Sequence, residues 1–336
     1  MILPRILTAE LTYRCNHSCL FCSCPWEADK SVKETELSTR EWQNIFRVVK
    51  KYGVEQVTFS GGEATLRGDF FEILDAATAL GLSIGVISNG CRIDETFLYK
   101  LQKYHLLLSI SVPGIDTFAR TTGRDNIEHI LNLFDMCRKL GIRTVANITV
   151  TKINFEELYQ NIALPLIHGA SYVLLNRFLP GGRGLENTKY LLSIDEINQM
   201  FDIAEEVLER AGVYGHVGTE LPYCIIKTPE RYRWLQITSL CAAAKSFFVI
   251  DPSGYVKVCN HSPVRLCKWK NIETLGDNEY WRRFTSSIYI PDMCKGCIHL
   301  GTKCDGGCRE AAHVYFGNIT DNDPCFIKAV SYTHLR

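Results

Sequence analysis

Three cysteines near the amino terminus, Cys15, Cys19 and Cys22, are separated by three and then two residues. Thiolates at that spacing can wrap one cubane iron–sulfur cluster, and three ligands for four irons leave one iron open. An open position is what a metal site keeps when something must bind the metal directly. The competing assignment is a structural zinc ion with Cys24 or His17 as fourth ligand. The chain has 15 cysteines, an odd number that suits a disulfide framework poorly. In a reducing compartment that many thiols point to metal ligands.

A second set lies far downstream: Cys241, Cys259, Cys294, Cys297, Cys304, Cys308 and Cys325. The dense run from Cys294 to Cys308 makes zinc or iron–sulfur binding the expectation there, and a zinc ribbon stapling a small domain is the bland form of it. Cys91 and Cys137 fall in or near helical patterns, where a thiol behaves as a small buried hydrophobe. The cysteine-poor middle is a scaffold between two sites.

The elements that position these sites follow from periodicity. Short apolar runs at 6–11, 56–59, 83–87, 106–111, 144–150 and 172–175 are strand candidates. Amphipathic stretches at 39–52, 69–80, 94–104, 126–140, 155–168 and 194–211 are helix candidates, and Gly53, Gly81, Gly141 and Gly212 stand where a left-handed C′ residue is wanted. Six strand–helix units in succession predict a parallel sheet covered by helices, and ligand chemistry at the carboxyl ends of its strands. The first cysteine cluster follows strand one, Gly61-Gly62-Glu63 follows strand two, Ser88-Asn89 follows strand three, and Ser109 and Ser111 end strand four. All land on one rim. Past residue 221 the periodicity weakens, so the chain divides into 1–212, a linker at 213–225, a cysteine-rich domain at 226–330 and a tail at 331–336. Within the second domain, residues 250–256 predict a hairpin turning at Pro252-Ser253-Gly254.

The cysteine spacing with Phe21 before the third thiol, followed one strand later by Gly-Gly-Glu, resembles the radical S-adenosylmethionine (SAM) superfamily. The resemblance covers about residues 5–212 and implies an α/β fold, a partial (β/α)6 TIM-like barrel. It implies a [4Fe–4S] cluster on Cys15, Cys19 and Cys22 whose open iron chelates SAM, and cleavage to a 5′-deoxyadenosyl radical. Cofactor contacts follow for Phe21 near the adenine, Gly61, Gly62 and Glu63 at the ammonium, and Ser88 and Asn89 nearby. Ser109 or Ser111 would reach the ribose and Arg124 the carboxylate. The downstream set resembles the SPASM extension, with six rather than five residues between Cys297 and Cys304. It implies one or two auxiliary [4Fe–4S] clusters, one on Cys294, Cys297, Cys304 and Cys325, the other on Cys241, Cys259 and Cys308. Either Cys224 closes the latter or it keeps an open iron, and we favour Cys224.

Lysine plus arginine equal aspartate plus glutamate at 37 each, so no global field recruits nucleic acid or an acidic membrane. No secretory signal or membrane span is read, which predicts a cytoplasmic protein. SPASM enzymes mainly modify ribosomally made peptides, so oxidative crosslinking of a peptide precursor is the expected reaction, with a flavodoxin or ferredoxin as electron donor. A barrel starting near residue 6 leaves no room for a leader-binding domain, so a separate leader-binding protein, or the barrel itself, is expected to recognise the precursor. The alternatives are a dehydrogenase or decarboxylase of a small molecule or tetrapyrrole, and a non-catalytic iron–sulfur electron carrier. Pro180-Gly181-Gly182-Arg183-Gly184 offers an arginine to a carboxylate or phosphate, or is a plain linker. No general base is assigned among Glu220, His216, Tyr223 and His261.

Overall fold

The computed structural model describes residues 2–327; the expected tail at 331–336 lies outside them. Eleven strands form one sheet: β1 (Ile6–Glu10), β2 (Gln56–Ser60), β3 (Ser83–Ser88), β4 (Leu107–Ser111), β5 (Arg143–Val150), β6 (Tyr172–Arg177), β7 (Gly215–Val217), β8 (Leu235–Gln236), β9 (Phe247–Ile250), β10 (Tyr255–Lys257) and β11 (Cys267–Lys268). Strands β1 to β8 run parallel in sequence order, and β9 joins the free edge of β1 in parallel. The helices are α1 (Thr39–Lys51), α2 (Phe70–Ala79), α3 (Glu95–Gln102), α4 (Phe118–Thr122), α5 (Ile127–Lys139), α6 (Leu158–Ile167), α7 (Ile194–Ala211), α8 (Glu279–Thr285) and α9 (Arg309–Phe316).

The units form where the patterning predicts them. Helix α1 starts on a reciprocal Ser38–Glu41 capping box, and α7 on the same device at Ser193–Glu196. Gly212 closes α7 in the left-handed conformation at φ +65°. Alternate residues of β1, Leu7 and Ala9, are buried with Trp42, Phe46, Phe59 and Phe70, which builds the layer between sheet and helices. Each such fully buried apolar side chain contributes about 1.5–3 kcal/mol. A second core joins β5 and β6 to α6 and α7 through Ile148, Val173, Leu175 and Phe201.

The sheet does not end at residue 212. Strand β7 lies inside the stretch expected to be a linker, and β8 to β11 extend the same sheet from the cysteine-rich region. The expected turn is present, as an antiparallel β9–β10 hairpin with Gly254 at φ +90°. Its first strand also pairs with the chain's first strand, Ile6 opposite Phe247. The cysteine-rich region is thus attached to the barrel by main-chain hydrogen bonds on the β1 edge.

Candidate functional site

Cys15, Cys19 and Cys22 lie in the loop that leaves the carboxyl end of β1. That loop is tied down along its length. Gly62 and Glu63 donate their N–H groups to the carbonyls of Thr12 and Arg14, both at 2.8 Å. Farther on, Ser18 and Leu20 donate to Thr122 and Thr121 at the end of α4, a helix that its short length hid from the periodicity. Arg183 donates to the Cys19 carbonyl at 3.1 Å and pairs with Glu27, and the Gly184 N–H reaches the Cys22 carbonyl at 3.1 Å. The arginine offered by the glycine-rich loop therefore clasps the cysteine loop, where sequence suggested an anionic ligand.

The glycines of Gly-Gly-Glu are required by the chain's own backbone. A Cβ on Gly61 would stand 2.7 Å from the Thr12 carbonyl oxygen, and one on Gly62 would run into the Arg14 carbonyl. Gly61 also has φ +125°. Glu63 turns inward: Oε1 accepts from the Thr65 and Ser88 hydroxyls at 2.6 and 2.8 Å, and Oε2 from the Asn89 N–H at 2.7 Å. Burial raises its pKa, and these hydrogen bonds oppose the rise. Its carboxylate thus locks the turn after β3 against the turn after β2. From there the Asn89 amide reaches Asn16 Oδ1 at 2.7 Å and lies 3.9 Å from Cys15 Sγ.

The remaining expected contacts occupy the same rim. Ser109 and Ser111 alternate with the core residues Leu108 and Ile110, so both face the side of the sheet away from that core. Ser109 Oγ is buried without a hydrogen-bond partner. Phe21 borders a narrow recess with Phe178, Thr151 and Ile153, at the ends of β5 and β6. Arg124 donates from Nε to the Asn16 carbonyl at 2.7 Å, so part of its guanidinium serves the cysteine loop itself.

The donor set suits a cationic cluster. Burial pushes the Cys15 thiol up to about 11, and nearby Glu63 and Cys22 add to the rise against a hydrogen bond from the His17 N–H. Burial raises Cys19 as well, with repulsion from Cys22 and Cys15. Cys22 is lowered, chiefly because the Cys24 thiol donates to it. Thiols that oppose one another's ionisation are held as thiolates when positive metal binds them. Cys15, Cys19 and Cys22 would hold such a cluster, which would supply the electron for reductive cleavage of SAM.

The downstream thiols fall into two groups. Cys294, Cys297 and Cys304 stand in one field with Cys224, and Cys224 also acts on Cys325. Cys304 Sγ accepts from the Tyr223 and Gly306 N–H groups at 3.3 and 3.1 Å. Cys241, Cys259 and Cys308 act on one another in the second group. Cys224, favoured from sequence as the closing ligand of this trio, follows Tyr223, whose N–H donates to Cys304 Sγ at 3.3 Å, and so lies on the Cys304 side. The cause is the turn Tyr223–Ile225, which is anchored on Cys304 and packs Tyr223 against His299 at 4.9 Å.

Two buried aspartates organise these groups. Asp305 accepts from the Cys241 N–H and from Lys245 Nζ, both at 2.8 Å. Asp323 accepts from the Cys308 and Cys325 N–H groups at 2.8 and 2.9 Å, and pairs with Arg177 of β6. Neither aspartate was singled out from sequence. The signal available was Asp next to Cys304 and two residues before Cys325.

The parallel α/β sheet, with a three-cysteine loop after β1 and Gly-Gly-Glu after β2, is the arrangement that the resemblance to the radical SAM superfamily implies. Residues 9–164 match the family described as the Radical SAM superfamily. The chain thus carries a radical SAM domain over residues 9–164, whose family uses a [4Fe–4S] cluster and SAM, and its cysteine-rich remainder lies beyond that match. PqqA peptide cyclase of Gluconobacter oxydans (strain 621H) is 27% identical over 335 residues, covering 96% of this chain and 90% of that protein. Among solved structures, Streptococcus suis SuiB bound to S-adenosylmethionine superposes with a TM-score of 0.75 at 17% identity, covering 97% of this chain and 78% of that one. Native anSMEcpe with bound AdoMet gives 0.72 at 16%, covering 95% and 93%. These structural likenesses concern the fold. No helix of the described residues is long and apolar enough to cross a membrane.

Proposed function

We propose that this protein oxidatively modifies a ribosomally made peptide, forming a crosslink or a related bond after hydrogen abstraction by the 5′-deoxyadenosyl radical. The observation that carries this reading is the likeness to PqqA peptide cyclase along 96% of the chain. SuiB, of the same fold, is known bound to its precursor peptide SuiA, and anSMEcpe bound to AdoMet and a peptide.

In this reading Cys15, Cys19 and Cys22 hold the SAM cluster, with SAM between Phe21, the Gly61–Glu63 turn, Ser88-Asn89, Ser109 or Ser111, and Arg124. Cys294, Cys297, Cys304 and Cys325 hold one auxiliary cluster, with Cys224 beside them, and Cys241, Cys259 and Cys308 hold the other. An auxiliary cluster suits a net oxidation, because the substrate radical must lose one further electron. The work divides between a catalytic unit at 1–212 and a cluster unit at 226–330, joined at 213–225. The protein acts in the cytoplasm with a flavodoxin or ferredoxin as reductant.

The test is co-expression with short peptides encoded beside the gene, followed by mass spectrometry. A peptide that loses two hydrogens only when Cys19 is intact supports the reading. Unmodified peptides, with turnover of a small molecule instead, would replace it.

A further inference from the structure

Segment 257–261 of the cysteine-rich region reaches the supports at both ends of the loop that carries Cys15, Cys19 and Cys22. At the entry to that loop stands Glu10, the last residue of β1. Lys257 Nζ pairs with Glu10 Oε2 at 2.9 Å, both side chains being almost fully buried, and the Asn260 amide donates to Glu10 Oε1 at 3.0 Å. The neighbouring residue, His261, donates from Nε2 to the Pro180 carbonyl at 2.7 Å.

Pro180 opens the loop that grips the exit. Arg183 Nη1 donates to the Cys19 carbonyl, the Asn187 amide to the Leu20 carbonyl and the Gly184 N–H to the Cys22 carbonyl, each at 3.1 Å. The packing there is close. A Cβ on Gly182 would stand 2.4 Å from the Cys24 carbonyl oxygen. One on Gly181 would stand 2.7 Å from His261 Nε2 and 3.4 Å from Ser23 Cβ, so Gly181 lies between the imidazole and the cysteine loop. The contacts thus run without a break from His261 to the main chain at Cys19 and Cys22.

A loop that brings three thiols to one group binds it best when its main chain is already fixed, because ordering a free loop costs conformational entropy at the moment of binding. We propose that His261 is a positioning residue for the SAM site: through Pro180–Gly184 it holds the main chain at Cys19 and Cys22, and so couples the cysteine-rich region to the SAM-cleaving centre. The assignment rests on the reading that Cys15, Cys19 and Cys22 hold the SAM cluster.

The test compares the full parent chain with His261→Ala, His261→Gln, Gly181→Ala and the double variant of Gly181→Ala with His261→Ala. Amide hydrogen exchange is measured on the metal-free proteins, with α7 as the control for general loosening. His261→Ala is expected to speed exchange across 18–24 and 182–187 by about two- to tenfold, the worth of one hydrogen bond, and to leave α7 unchanged. His261→Gln keeps a donor and is expected to restore the parent's rates. Gly181→Ala is expected to loosen the same stretches, and adding His261→Ala, which removes the obstacle, to loosen them no further than His261→Ala alone. After anaerobic reconstitution, His261→Ala is expected to raise the KM for SAM in 5′-deoxyadenosine formation more than it lowers kcat. Parental exchange in His261→Ala would overturn the assignment, as would equal loosening of α7 or additive effects in the double variant. If Cys19→Ala still forms 5′-deoxyadenosine, the cluster reading fails, and the exchange rates, which need no metal, report separately on His261.

Discussion

Arg177 and Asp323, 146 residues apart, form a two-point ion pair at 2.9 and 2.6 Å with almost no solvent contact. The arginine ends β6 of the barrel, and the aspartate also holds the main chain at Cys308 and Cys325. One buried contact thus fixes a cysteine from each downstream group relative to the sheet. Arg177 keeps the Asp323 carboxyl below its ordinary range although burial alone would raise it.

Removing one member of a buried pair strands the other, at a cost of about 3–5 kcal/mol. Arg177→Met and Asp323→Asn are therefore expected to lower the anaerobic melting temperature sharply and to release iron from the downstream clusters. Melting and iron content like the parent's would show that the pair carries little.

The Gly61-Gly62 turn predicts a contrast between neighbouring glycines. Gly62→Ala drives a methyl into the Arg14 carbonyl, a main-chain atom with no room to move away. Overpacking of this kind costs about 1–3 kcal/mol, and here it displaces the residue just before Cys15. Gly68→Ala meets nothing within 4 Å and should stay within about 0.5 kcal/mol of the parent. Denaturant titration and iron content separate the two; equal behaviour would remove the steric argument.

His313 predicts a pH effect on stability. Its hydrogen bond to Glu310 raises its pKa above 6.5, against partial burial. A raised folded value means the contribution is complete below the unfolded value and is lost as pH rises through the folded one. The parent should therefore lose stability relative to His313→Gln from about pH 6.5 upward, by less than about 1 kcal/mol because solvent screens the pair. Anaerobic denaturation midpoints at several pH values measure this, and parallel curves would contradict it.

The six strand–helix units were legible because each has its own apolar period, and four of them end on a glycine. Of strands β7 to β11, only the β9–β10 hairpin was, through its Pro252-Ser253-Gly254 turn, since runs of two to four residues carry no period. The pairing of Ile6 with Phe247 is decided by the closing of the fold rather than by either segment. The rim positions of Cys15, Glu63, Ser88 and Ser109 were readable from their places after successive strands. Their partners were not. Arg183 meets Glu27, 156 residues away, and the Tyr223 N–H meets Cys304 Sγ, contacts that only the folded chain makes. The glycine pair was legible as a close approach, but what it approaches is the chain's own Thr12 and Arg14.

The most direct test of the central claim is 5′-deoxyadenosine formation from SAM by the anaerobically reconstituted protein with a strong reductant. We predict formation by the parent and its loss in Cys15→Ala, Cys19→Ala and Cys22→Ala. Formation retained in all three variants would contradict the assignment of the SAM-cleaving cluster to the loop after β1.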